Sequence, residues 1–152
     1  MEGYRRPPIA RGEFRDATGA VIPYGARWAD TPSEELPYSV TAHPERFAPV
    51  VEVARALEAA LPAAHRPGGG GVPITVEVTP LPGAVLRVGG HSFPFPVCGC
   101  DACDEDVEGL AEQMEQLVEA VVAGRFEETA DSHRYWGDWG SRGGWTNPQG
   151  RV

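Results

Sequence analysis

Three cysteines, Cys98, Cys100 and Cys103, fall within six residues of the stretch FPFPVCGCDACD at 93–104, and the chain has no others. Cys98 and Cys100 are two apart, so in extended backbone their sulfurs leave on the same side. Gly99 between them permits a tight turn. Cys100 and Cys103 have the two-residue spacing of a zinc knuckle, in which a turn brings both thiolates to one tetrahedral ion. Together they form a three-ligand half-site. A closed structural site needs a fourth ligand and an open one takes water. His91, separated from Cys98 by six residues, is the best local candidate; Asp101, Asp104 and the distant His133 are weaker ones. His65, in a Gly-rich stretch, is expected simply to be solvated.

The surrounding charge chooses among chemistries. Asp101, Asp104, Glu105, Asp106 and Glu108 place five carboxylates within eight residues, with no Arg among them. That field raises thiol pKa values and opposes a reactive thiolate, although a helix N-terminus pulls the other way. A divalent cation reverses the penalty and deprotonates the thiols. Zinc is therefore the leading expectation for a cofactor. Two alternatives stand beside it: a redox dithiol at Cys100 and Cys103, and three small thiols packed under the following helix. No Gly-x-Ser-x-Gly elbow, His-Glu-x-x-His or Gly-Lys-Ser/Thr phosphate loop occurs, and no catalytic carboxylate pair stands out. An enzyme is the less favoured reading.

The elements that must position this loop are legible on either side. Upstream, Phe93 and Phe95 each precede a proline and are biased to extended conformations, which makes the lead-in stiff. Before it, Ile74–Val78 alternates with period two, Leu81-Pro82-Gly83 turns, and Ala84–Val88 returns as a second strand. Downstream, Val107, Leu110, Ala111, Met114, Leu117, Val118, Val121 and Val122 form one apolar stripe with glutamates off it, which predicts an amphipathic helix. Asp101 is expected as its N-cap and Gly124 as its C-cap.

An earlier helix begins at Pro44, shows the stripe Phe47, Val50, Val51, Ala54, Leu57 and Leu61, and ends at Pro62. His43 at its start reads as a capping or surface residue. Residues 62–72, PAAHRPGGGGV, read as a flexible linker within the domain. Residues 1–37 read as a loop-rich wrap with one hairpin, Phe14–Ile22, around Asp-Ala-Thr-Gly. Tyr135, Trp136, Trp139 and Trp145 suggest a C-terminal hairpin whose aromatics cover a sheet.

The whole chain bounds these readings. Its 152 residues suit a single domain at 1–152, and 19 glycines with 15 prolines imply long loops. The expected fold is α+β: two amphipathic helices packed on a small antiparallel sheet of hairpins. With 13 basic residues, all Arg, against 22 acidic ones, the net charge of −9 argues against a nucleic-acid partner. It suits a bound cation or an unspecified protein partner. No apolar run is long enough to span a bilayer and no secretory h-region is visible, so the expected place is the cytoplasm, with reduced thiols.

FPFPVCGCDACDED, the upstream YSVTAHPERF ending at Phe47, the downstream Ala123-Gly124-Arg125-Phe126, and the opening Tyr4-Arg5-Arg6-Pro7-Pro8 with Glu13-Phe14-Arg15-Asp16 occur together in one chain. In this combination the protein resembles a family of small actinobacterial proteins of unknown function. The resemblance implies a bacterial cytoplasmic setting and carries over no catalytic residue. The functional expectation is an accessory or interaction protein with a structural zinc ion on Cys98, Cys100, Cys103 and His91. A thiol redox protein, or an acidic inhibitor or immunity-type protein that masks a basic partner, are the alternatives.

Overall fold

A computed structural model describes residues 1–25 and 40–145 of the chain. Pro44–Phe47 forms a 3-10 turn that leads directly into helix α1, Ala48–Ala59. Val50, Val53, Ala54 and Leu57 are its buried stripe, with Phe47 and Leu61 completing the row at either end. Val53 takes the place expected for Val51, because spacing of three and four counted from Val50 reaches 53, 54 and 57. His43 makes no side-chain cap. Its Nδ1 stands 3.1 Å from Glu45 Oε1 and its Nε2 3.0 Å from the Arg15 carbonyl, which ties the N-terminal hairpin to the helix entrance.

Strands β1 (Ile74–Thr79), β2 (Gly83–Val88) and β3 (His91–Phe95) form an antiparallel sheet in that order. The stiff Phe-Pro-Phe lead-in is thus itself a strand. Pro94 is accommodated because β3 lies at the sheet edge, where a missing N–H costs no ladder bond. The pairs Ile74–Val88, Leu86–Phe93 and Ala84–Phe95 share one register, and all six of these side chains are buried. Alternation with period two sends that face onto α1, which packs on β1 and β2.

Helix α2, Val107–Val122, packs against α1 through Leu110, Ala111, Met114, Leu117, Val118 and Val121. Its N-cap is Asp106, whose Oδ2 accepts a 3.2 Å bond from Gly109 N, and not Asp101. Asp101 lies five residues too early and is committed elsewhere. At the other end Gly124 takes φ +70°, Arg125 N donates to Ala120 O and Gly124 N to Val121 O. This is the Schellman stop, and glycine is the residue that enters the left-handed region without strain. The turn delivers the chain to a second antiparallel sheet: β4 (Phe126–Glu128), β5 (Ser132–Gly137) and β6 (Gly140–Trp145).

The architecture is α+β with two helices, as expected, but the strands make two three-stranded sheets rather than one. One sheet packs on α1, and β5 of the other packs on α2. Phe93 joins them, with its ring edge-on to His133, Phe126 and Tyr135 at centroid distances of 4.7–6.4 Å. Tyr135 is buried, whereas Trp145 remains 86% exposed, so the C-terminal aromatics do not all cover the sheet.

Residues 62–72 carry their own hydrogen bonds: Gly69 N to Arg66 O, Gly71 N to Ala64 O, and Arg66 Nη2 back to Ala59 O. His65 is not simply solvated, since its Nδ1 lies 2.9 Å from the Val72 carbonyl. The N-terminal segment lies along the acidic face of α2. Tyr4 Oη donates to Glu115 at 2.6 Å beside Arg6, and Arg11 Nη2 reaches Asp106 and Glu108. The expected hairpin is present as an antiparallel bridge between Arg15 and Val21.

Candidate metal centre

The chain leaves β3 and reaches the three cysteines before α2 begins. Gly83, at the start of β2, sits so close to the Phe95 carbonyl that an added Cβ would lie 2.7 Å from it. This packs the exit of β3 tightly on the β1–β2 hairpin. Val97 N and Cys98 N then donate to the carboxylate of Glu105, at 2.9 and 3.4 Å. The next residues turn back on themselves, with Cys103 N donating to Cys100 O at 3.2 Å. The loop is folded around a carboxylate anchor and one tight turn.

Its result is convergence of sulfur. Cys98 Sγ stands 3.2 Å from Cys100 Sγ, and Cys100 Sγ 3.4 Å from Cys103 Sγ. All three lie within 4.8 Å of one another, a group that could hold a metal ion. Cys100 is buried while Cys98 and Cys103 are partly exposed, so the cluster sits at the surface with its inner sulfur covered. Thiolates on a tetrahedral ion with ~2.3 Å bonds stand roughly 3.8 Å apart. An entering zinc ion would therefore spread the Cys98–Cys100 and Cys100–Cys103 pairs by about half an ångström, within reach of side-chain rotation.

Proximity also sets the protonation state. Contacts with Cys98 and Cys100, together with burial, push the Cys103 thiol up to about 12. Three neighbouring sulfurs cannot all ionise without a counter-charge. Glu105 has its carboxyl pushed up by burial, against the pull of the two N–H groups and Arg46. Without a cation Cys103 is a protonated, weakly nucleophilic thiol.

The other candidate ligands are held elsewhere. His91 is correctly placed in sequence but not in space: it begins β3, and the cysteines follow that strand's far end. Four residue steps at ~3.3 Å put its backbone about 13 Å from Phe95. Its ring is buried at the seam of the two sheets, with Nε2 3.0 Å from the Thr129 carbonyl and the ring 5.1 Å from that of His133. His133 lies at the same seam. Asp101 and Asp104 are both only 3% exposed. Asp101 accepts from Tyr24 Oη at 3.0 Å and Ala42 N at 3.3 Å, and Asp104 from Gly25 N at 2.7 Å. These two carboxylates bind the N-terminal segments to the cysteine loop, and neither belongs to the sulfur group.

Three supporting residues were not singled out from sequence. Glu105 reads there as one more member of an acidic run. Thr41, whose Oγ1 donates to Gly99 O at 3.1 Å, has no local signature. Arg46 is buried at 6% exposure, stacked over the rings of Tyr24 and Phe47 at 4.1 Å each, and donates to Glu105 O at 3.0 Å. An arginine wedged in an apolar helix entrance, PERFAP, is the one sequence signal that points to it.

Among the described residues no helix is long and apolar enough to cross a membrane. No curated protein and no solved structure matches the chain. Residues 10–68 and 65–151 match the model of a family of unknown function, DUF6226, and the chain belongs to that family.

Proposed function

We propose that the Cys98–Cys100–Cys103 loop binds a structural zinc ion, and that the protein is a non-enzymatic accessory protein working in the reducing cytoplasm. The observation that carries this reading is the convergence of three sulfurs within 4.8 Å at the junction of β3 and α2. An ion there clips the edge of one sheet to the start of the second helix, and binding free energy at such a site is folding free energy. Water or an external donor completes the coordination in place of His91. The acidic balance of the chain suits a basic protein partner as its target.

Metal analysis of protein purified without chelator tests this. About one equivalent of zinc is expected, and Cys100→Ser should lose both metal and stability. Well below one equivalent, with Cys100→Ser as stable as the parent, ends the proposal. The 3.4 Å separation of Cys100 and Cys103 favours one competitor, a redox dithiol. That reading requires a disulfide under mild oxidant and a depressed thiol pKa, and the protonated state of Cys103 weighs against it.

A further inference from the structure

The second sheet ends on an open edge. Three of the edge strands among the described residues carry a device that discourages further pairing. In β1 the outward Val76 N donates to Glu58 Oε1 at 3.3 Å, β3 contains Pro94, and β4 is three residues long with two glutamates. β6 has none of these: its six residues, GSRGGW, include neither proline nor carboxylate, and Trp145 at its end is 86% exposed. The ladder fixes which of its backbone groups point outward. Trp136 N donates to Arg125 O at 3.2 Å and Thr129 N to Ser132 O at 2.8 Å, so Ser132, Arg134 and Trp136 turn their backbone groups toward β4. Their partners in β6 are Trp145, Gly143 and Ser141, which therefore point theirs away from β5. Among the described residues no backbone hydrogen bond reaches these three from outside the hairpin.

The sequence of β6 is complementary to itself. Two antiparallel copies related by a two-fold axis at Gly143 set Gly143 opposite Gly143 and Ser141 opposite the partner's Trp145. The outward donors and acceptors of all three residues are then used, in about six hydrogen bonds. In the same register Arg142 faces the partner's Gly144, so each large side chain meets a small one and no like charges stand directly opposite. The two Arg142 side chains stand on a diagonal, and each is drawn back by its own Gln116 Oε1 at 3.3 Å and its own Trp139 ring at 5.7 Å. Sliding the pairing by one step toward the turn would set Arg142 opposite Arg142, which is unfavourable. Charge and side-chain size therefore select the register that the backbone groups allow.

We propose that β6 pairs antiparallel with β6 of a second copy of this chain about Gly143, joining the two C-terminal sheets into one of six strands, independently of any ion on the cysteines. Sedimentation equilibrium of the full chain from about 1 µM to 0.5 mM tests it, and a dimer with Kd on the order of 10–100 µM is expected. Amide exchange read by 15N NMR tests the register. The Ser141, Gly143 and Trp145 amides should slow as concentration rises, while those of Arg142 and Gly144, already bonded to β5, should not change. Ser141→Pro removes an outward N–H without touching the ladder to β5 and should weaken the dimer by about tenfold or more. Should that variant not fold, Trp145→Glu, at a side chain the fold leaves exposed, should weaken it likewise. A monomer at roughly 0.5 mM overturns the proposal. So does a dimer that either folded variant leaves intact, or one in which the three amides exchange as fast as in dilute solution.

Discussion

The hydroxyl of Tyr24 donates a 3.0 Å hydrogen bond to Asp101 Oδ1, across 77 residues of chain. Asp101 lies between two of the three cysteines, so this bond fastens the N-terminal segment to the centre of the sulfur cluster. Ala42 N binds the other oxygen and Asp101 N donates to Val40 O at 2.7 Å, so the residue is held from three directions.

Asp101→Ala should cost about 2 kcal/mol in urea denaturation, because two donors lose a buried acceptor. Tyr24→Phe should cost about 1 kcal/mol, and a double-mutant cycle between the two positions should show coupling of at least roughly 0.5 kcal/mol. Additive effects would mean that the bond contributes nothing to the loop.

Two glycines near the cysteine loop should respond differently to alanine. At Gly83 the new Cβ would meet the backbone carbonyl of Phe95, which cannot yield without moving β3, and a loss of about 1–3 kcal/mol is expected. At Gly99 the obstacle is the end of the Leu81 side chain, which can rotate away. Gly99→Ala should therefore stay within about 1 kcal/mol of the parent. Thermal denaturation of both variants decides it.

Glu115 fixes the N-terminal segment. Burial raises its carboxyl pKa, but the bonds from Arg6 and Tyr4 outweigh that and leave it below the ordinary value. The stabilisation is present above the ordinary carboxylate pKa and is lost as pH falls through the lowered one. Glu115→Gln should remove that acid-side dependence, cost about 1 kcal/mol, and speed tryptic cleavage after Arg5 and Arg11. Unchanged cleavage would show that the segment is held by other contacts.

The seam between the sheets should be sensitive to acid. Burial first, and the neighbouring His91 second, hold the His133 imidazole below its usual value, so folding favours the neutral ring. Stability from this site is complete above the unfolded pKa of about 6.5 and falls as pH drops toward the lower folded value. His133→Phe keeps an aromatic ring against Phe93 and cannot titrate. Its stability profile between about pH 7 and 5 should be flatter than the parent's, and parallel profiles would count against a half-buried, neutral His133.

What the sequence by itself determined is local. The apolar stripes of α1 and α2, the β1–β2 hairpin and the Gly124 stop follow from period, propensity and the one residue type that enters the left-handed region freely. The clustering of Cys98, Cys100 and Cys103 was legible for the same reason, since ligands within six residues need only one turn to converge. Tertiary structure decided the rest. It placed His91 at the sheet seam, because a strand of extended backbone stands between it and the sulfurs. It turned Asp101 from a helix cap into a buried acceptor for Tyr24, and it set Arg46 between two rings beside a cavity. Such pairings join residues tens of positions apart, and no periodicity in the chain encodes which distant donor will meet a given buried acceptor.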